Sequence, residues 1–258
     1  MSFHNIFDSH AHYDDARFQD DLENLLAALP EQGVVGVISC GVNTETSQFA
    51  AHLAATYDYI YAAAGFHPLN LEDVPENPTE ILRELLKNPK TVAVGEIGLD
   101  YHYEKESRDA QLRLFEQQLQ AANELSLPVI VHDREAHEDT LRLLKQYKPH
   151  GVVHCFSGSV EMAKEVLKLG MYIGLGGAVT FKNAVKPVEV AKIVPQDRLL
   201  VETDAPYMTP VPFRGKRCDS GHIAYTAERL AEIRGEDAQA LLDYTAENAR
   251  RLFGISNH

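Results

Sequence analysis

Histidines and carboxylates recur in this sequence at one kind of place, directly after short apolar runs. The groups are Asp8-Ser9-His10-Ala11-His12, Glu96 through Asp100, His132-Asp133-Arg134, His154-Cys155 and Glu202-Thr203-Asp204. Imidazole nitrogen and carboxylate oxygen are the donors that zinc and harder divalent ions accept. Side chains two apart on a strand share a face, so His10 and His12 can both point at one ion. A single strand-end histidine is more often a packed barrel residue than a ligand. Five such groups are another matter, because apolar strand interiors are a costly place for unpaired imidazole and carboxylate. His10, His12, His132, His154, Glu96 and Asp204 outnumber the roughly three protein ligands of a mononuclear catalytic zinc site. A dinuclear centre is therefore expected, with ions roughly 3.5–4 Å apart and Glu96, at mid-barrel, able to span them.

These groups can act together only if the chain gathers its strand ends. Apolar runs at 5–8, 34–41, 59–65, 91–95, 128–132, 151–154, 171–175 and 199–203 are rich in Val, Ile, Phe or Tyr and edged by Gly, Pro or Asp. That is the character of buried parallel strands. Helical patterns lie between them at 18–29, 44–55, 79–86, 107–125, 135–147, 160–169, 185–193 and 223–234, with one more at 237–253. Within 108–125, Leu112, Phe115, Leu119, Ala122 and Leu125 recur at helical spacing and mark the face expected to pack on a sheet. Eight strand–helix repeats predict a (β/α)8 TIM barrel, with a doubly wound sheet as the competing architecture. The barrel is preferred because ligands from strands one, four, five, six and eight converge only if the sheet closes. Such barrels gather their active sites at the C-terminal face. No linker, repeat or composition break divides the chain, so residues 1–258 are expected to form one domain, with 206–219 the longest loop.

Composition narrows the function classes. The 258 residues carry 24 Lys and Arg against 38 Asp and Glu, a net −14 before histidine. A disordered or fibrous chain is excluded, and a generic polyanion-gripping protein would more often be basic. An enzyme that meets nucleic acid at one local site remains compatible, above all where metal ions reverse the charge. Cys40, Cys155 and Cys218 form no C-x-x-C pair and suit a reducing compartment. No basic leader followed by an apolar core opens the chain, and no run of about 18 apolar residues occurs. A cytoplasmic protein without a membrane partner is expected.

Three long motifs place the chain further. IFDSHAHYD at 6–14, PVIVHDREAHE at 128–138, and IVP at 193–195 with LLVETDAP at 199–206 occur in order. GFHP at 65–68, GEIGLDY at 95–101, HCFSG at 154–158 and RGKR at 214–217 stand among them. With these motifs, and over nearly its whole length, the sequence resembles the TatD family of metal-dependent deoxyribonucleases among the amidohydrolase-like barrels. Tyr13 departs from that pattern, where an aliphatic residue or Phe is usual, and is expected beside the site.

The resemblance implies that His10, His12 and Asp204 hold one ion, His132 and His154 the other, and Glu96 bridges them. It also tilts the substrate towards DNA, cleaved from a strand end. The two ions could be zinc, magnesium, manganese or nickel. Asp204 is expected both to ligate and to accept a proton from the attacking water. Glu202, two residues earlier on the same strand face, is expected to orient a ligand or proton, or else to be a structural barrel carboxylate. Asp8 would hold a ligand histidine in one tautomer, and Asp100 and Tyr101 would support Glu96.

Substrate contacts are assigned to His67, Arg134, Arg214 and Arg217, with Lys216 in the same basic loop. The plainer alternatives are a loop histidine packed on Pro68, an Arg134 salt bridge to Glu135 or Glu138, and a solvated basic surface. With −14 charge and no Trp, the grip on DNA should be short and local. A small-molecule amidohydrolase or phosphoesterase on the same barrel is the alternative enzyme. Many such barrels bridge their ions with a modified Lys, but here no Lys stands at the fourth or fifth strand end. A non-catalytic metal protein would need a closed ligand set, which six ligands shared by two ions do not supply.

Overall fold

The computed structural model describes residues 3–103 and 107–256. The expected domain's outermost residues, 1–2 and 257–258, lie outside that range, as do 104–106. Eight parallel strands follow one another around one sheet: β1 (Ile6–Ala11), β2 (Val34–Cys40), β3 (Ile60–Ala64), β4 (Thr91–Asp100), β5 (Val129–Arg134), β6 (Gly151–Val153), β7 (Tyr172–Leu175) and β8 (Leu199–Val201). The order is strictly sequential, so every connection is a local strand–helix–strand crossover. Closure comes from the first and last strands. Ala11 bridges Ala205, the His12 amide donates to the Ala205 carbonyl at 2.7 Å, and the Asp204 amide donates to the His10 carbonyl at 3.0 Å. The chain is a (β/α)8 barrel, not an open doubly wound sheet.

Every strand sends a buried residue into one interior cluster, in a layer formed by Phe7, Ile38, Ala63, Ala93, Ile130, Val152, Tyr172 and Leu200. Only an inward-facing layer lets side chains from all eight strands pack together. Two residues further on, the same face of β2, β5, β6 and β8 carries Cys40, His132, His154 and Glu202. The apolar layer is thus the floor on which a polar layer stands.

Outside the barrel lie α1 (Leu22–Ala28), α2 (Thr44–Thr56), α3 (Pro78–Leu85), α4 (Arg108–Leu125), α5 (His137–Tyr147), α6 (Val160–Lys168), α7 (Lys186–Ile193), α8 (Ile223–Arg234) and α9 (Ala238–Phe253). Their starts follow capping chemistry. Asn43, Ser159 and Asp237 each accept a backbone N–H with the side chain at the N-terminus of α2, α6 and α9. Among the described residues no helix is long and apolar enough to cross a membrane, and Cys40, Cys155 and Cys218 are free.

Several expectations shift. The first helical pattern breaks into a 3-10 turn at Ala16–Phe18 and the shorter α1, because the Asp15 carboxylate accepts the Arg17 amide and closes a tight turn first. Strands β1, β4 and β5 run beyond their apolar runs, so His10, Glu96, Asp100 and Asp133 sit inside the strands. Gly98 allows this at β4. It stands beside His132 with φ 146°, and a Cβ there would overlap the His132 carbonyl. The inner face of α4 also differs: Leu125 is exposed and Gln111 and Gln118 are buried. Each glutamine makes two bonds to a strand end, Gln118 to the Phe66 backbone and Gln111 to that of Asp100. A polar side chain that satisfies two backbone groups is the better inward residue there.

Candidate metal centre

Glu96 stands at the middle of the polar layer, and its two oxygens face different histidines. Oε2 lies 3.1 Å from His12 Nε2 and 3.4 Å from His10 Nε2. Oε1 lies 2.7 Å from His154 Nε2, 2.9 Å from His132 Nδ1 and 3.5 Å from His67 Nε2. Asp204 closes the ring from β8, with Oδ1 3.6 Å from His12 Nε2 and 3.7 Å from His10 Nε2. Three overlapping groups of possible ligands result: His10, His12 and Glu96; His10, His154 and Asp204; His67, Glu96 and His132.

The hydrogen-bond partners set the tautomers of the cluster. His12 Nδ1 is 3.0 Å from the Cys40 carbonyl and can only donate to it, which leaves Nε2 as a lone pair. That lone pair faces His10 Nε2 at 3.0 Å. Likewise His132 Nε2 donates to Asp100 Oδ2 at 3.0 Å, turning the Nδ1 lone pair to Glu96. Lone pairs aimed at each other and at a carboxylate require a cation between them. Burial lowers the His12 and His132 pKa values, but the hydrogen bonds and charges of Glu96, with Asp204 or Asp100, outweigh it and hold them at about 9 and about 10. Glu96 itself is held well below the usual range, since His154, His67 and His10 overcome its burial. The donor set fits divalent ions, and all its members are nitrogen or carboxylate oxygen.

Each partner is braced. His10 is fully buried, stacks on His154 at 3.9 Å between ring centres, and sets Nδ1 3.4 Å from Cys40 Sγ. Burial pushes the Cys40 thiol up, so it stays a thiol. Glu202 is buried below His154: Oε1 accepts the Cys155 amide and lies 3.8 Å from His154 Nδ1, while Oε2 has no partner. Burial raises its pKa to about 7. Asp204, with 20% of its side chain exposed, is the carboxylate of this ring most open to the cleft, and burial raises its pKa too.

The expected residues divide. His10, His12, Glu96, His132, His154 and Asp204 come together at the barrel mouth, and of these six Glu202 approaches His154, from behind. His67 lies nearer the centre than a substrate contact would, against Glu96. Arg134 makes neither expected salt bridge among the described residues; it is exposed, stacks over Tyr103 at 4.8 Å and lines the cleft. Arg217 is a correction. It pairs both nitrogens with Asp21 at 2.6 and 2.8 Å, pinning the entry to α1 away from the cleft. Arg214 lies over the Phe181 ring at 4.1 Å and Lys216 over Phe213 at 5.6 Å, also outside the cleft lining. Proline and aromatic packing of their loop carries these cations off.

Two supporting roles are also corrected. Asp8 holds backbone instead of an imidazole: it accepts the His10 and Thr203 amides and the Thr203 and Ser220 hydroxyls. Asp100 serves His132, not Glu96, and Tyr101 turns away to Asp139. Tyr13 lies beside the site, buried and bonded to Ser220. Sequence reasoning missed Cys40 and also Asp14, Tyr103 and Tyr207 of the cleft wall. Cys40 could have been found, since it lies two residues beyond Ile38 at a strand end.

The cleft over this centre holds about 670 Å³. Comparison with known proteins accords with the geometry. A family model described as TatD related DNase matches residues 7–254. The uncharacterized metal-dependent hydrolase YabD of Bacillus subtilis is 42% identical, over 97% of this chain and 100% of that one. The 3'-5' ssDNA/RNA exonuclease TatD of Shigella flexneri is 35% identical over 97% of this chain and 100% of its own. The solved structure of YJJV, a TatD homolog from Escherichia coli, superposes with a TM-score of 0.92 at 34% identity, covering 98% of this chain and 99% of that one.

Proposed function

Since the chain belongs to the family of TatD-related deoxyribonucleases, we propose that it is a single-domain cytoplasmic phosphodiesterase that shortens DNA from a strand end. The observation that carries this reading is the division of Glu96. One carboxylate serves two sets of histidines through separate oxygens, as a bridge between two ions would. His10, His12 and Asp204 would hold one ion, His132 and His154 the other. Bound there, divalent ions supply Lewis acidity towards the phosphoryl oxygens and bring a water's pKa towards neutrality.

The chain's own residues do the rest. Asp204, raised above the ordinary carboxylate range and open to the cleft, accepts the proton of the attacking water at a carboxylate oxygen. Glu202, 3.8 Å behind His154 Nδ1 and without a hydrogen bond to it, acts on that ring through its charge. Asp100 keeps His132 turned so that Nδ1 faces the centre. The floor of Ile38, Ile130, Val152 and Leu200 excludes water from below. Arg134, the one arginine among the described residues that lines the cleft, contacts a substrate phosphate.

The test strips the protein of metal, restores zinc, manganese, magnesium or nickel singly, and adds end-labelled single- and double-stranded DNA and RNA. Stepwise shortening from one end with at least one ion is expected. Turnover of a phosphotriester or amide, with every strand left intact, would replace this reading by the small-molecule hydrolase.

A further inference from the structure

Two tyrosines on the cleft wall have no part in the metal centre. Tyr103 is 62% exposed and Tyr207 is 47% exposed, high values for large rings in a wall. Each follows a carboxylate of the centre by three positions, in Asp100-Tyr101-His102-Tyr103 and Asp204-Ala205-Pro206-Tyr207. In both the backbone ties ring to centre: the Tyr103 amide donates to Asp100 Oδ1 at 3.1 Å and the Tyr207 amide to the Asp204 carbonyl at 2.8 Å. Each ring also carries a guanidinium on it, Arg134 at 4.8 Å over Tyr103 and Arg17 at 4.2 Å over Tyr207. Asp15 fixes the second pair, accepting from the Tyr207 hydroxyl at 3.1 Å and from Arg17 at 2.9 Å.

Their places follow from topology. Tyr103 leaves β4 and Tyr207 leaves β8, and in a closed barrel of eight sequential strands these are four positions apart, on opposite sides of the axis. The metal centre lies between them. Among the described residues the wall also carries Asp14, Asp15, Asp100, Asp133 and Asp204 against a single arginine, Arg134. Beyond the metal centre and Arg134 the wall therefore gives phosphate little cationic purchase, whereas an exposed, arginine-backed ring offers a nucleobase a stacking face.

We propose that Tyr103 and Tyr207 form two base-stacking subsites, one on each side of the scissile phosphate, which admit the unpaired terminal nucleotides of a single strand. This rests on the nuclease reading and deepens it. Successive bases of a duplex stack on one another and are held by the complementary strand, so a duplex end must fray before bases on both sides of the scissile phosphate can each meet a ring. Binding that depends on two rings also depends weakly on salt, because few counterions are released.

The test uses metal-loaded enzyme and two strands, one with normal bases at its terminal nucleotides and one abasic there. Tyr103→Ala and Tyr207→Ala should each raise KM for the normal strand about tenfold, with kcat changed less than about twofold, and leave KM for the abasic strand unmoved. Tyr103→Phe and Tyr207→Phe should restore the wild-type KM to within a few fold. As a readout independent of turnover, a strand with terminal 2-aminopurine and phosphorothioate linkages should lose fluorescence on the wild type and keep it on the double alanine variant. Unchanged KM in the alanine variants, or an equal rise for normal and abasic strands, would overturn the subsites. Quenching by a wild type that cleaves no strand would support the subsites and defeat the nuclease reading instead. Neither quenching nor cleavage would defeat both.

Discussion

The two sides of the centre are built differently. On the β1–β8 side, His10 and His12 stand on a strand whose backbone is pinned by Asp8, and Asp8 is tied through Ser220 to Tyr13, all of it buried. The bonds that hold the histidines are the bonds that close the barrel. On the β4–β5 side, His132 is 18% exposed and is held from behind by one carboxylate, Asp100, itself braced by Gln111. Beyond it the chain runs out to exposed Tyr103. One side is preorganised by the fold as a whole, the other by a single replaceable side chain. Loss of function on the first side should therefore come with loss of stability, and on the second without it.

Glu96 belongs to both sides and should give the largest effect. Glu96→Ala removes a group within 3.5 Å of five imidazoles. Activity should fall well beyond the roughly 100-fold typical of supporting groups, with bound metal halved or lost by elemental analysis and the far-ultraviolet spectrum retained. Full metal content would take Glu96 out of the ligand set and dissolve the distinction between the sides.

Asp8→Ala tests the first side. Four donors from His10, Thr203 and Ser220 would lose their acceptor in a fully buried place. The expected cost is about 3–5 kcal/mol, read as a lower urea midpoint, with metal loss following from the loosened strand. A variant as stable as the wild type would mean that closure does not depend on this network.

Asp100→Asn tests the second. The change keeps the oxygen that accepts the His102 and Tyr103 amides and alters only the atom facing His132. Metal affinity and activity should fall about 10–100-fold, while the unfolding free energy from urea titration stays within about 1 kcal/mol of wild type. If Asp100→Asn unfolds the protein as readily as Asp8→Ala, the two sides are equally structural.

The same contrast explains what was legible in the sequence. Alternating runs of Val, Ile and Phe with amphipathic segments announce a barrel, because eight buried parallel strands leave few other arrangements. The polar cluster at the barrel mouth was legible because polar residues at strand ends have little else to do. Their supports were not. Asp8 reads as a partner for an imidazole by adjacency, yet β1 and β8 meet there and backbone donors claim it. Arg217 reads as a phosphate contact by charge, but Asp21 lies within reach only once α1 is folded. Strand β4 reads as ending at Gly95, since Glu96, Gly98 and Asp100 suit a loop, while its ladder to β5 continues to Arg134.

The smallest effect expected lies at the edge of the first side, where a 3-10 turn of Ser220–His222 leads into α8. There His222 Nδ1 is 3.2 Å from Asp219 Oδ1, and that hydrogen bond raises the His222 pKa above its ordinary 6.5 despite burial. A raised folded pKa means that protonated His222 favours the native state. The contribution is fully present below the unfolded value of 6.5 and is lost as pH rises through the folded one. Above that, neutral Nδ1 can still accept the Asp219 amide at 3.3 Å, so the turn keeps part of its closure. The net change should stay below about 1 kcal/mol. Melting temperature should fall slightly more for wild type than for His222→Gln between pH 6 and 9. Because Ser220 of the same turn bonds Asp8, a parallel loss of metal affinity over that range would show the pair acting on the β1–β8 side. Identical pH profiles for the two proteins would leave the pair a surface contact and confine the rigid side to Asp8, Thr203, Ser220 and Tyr13.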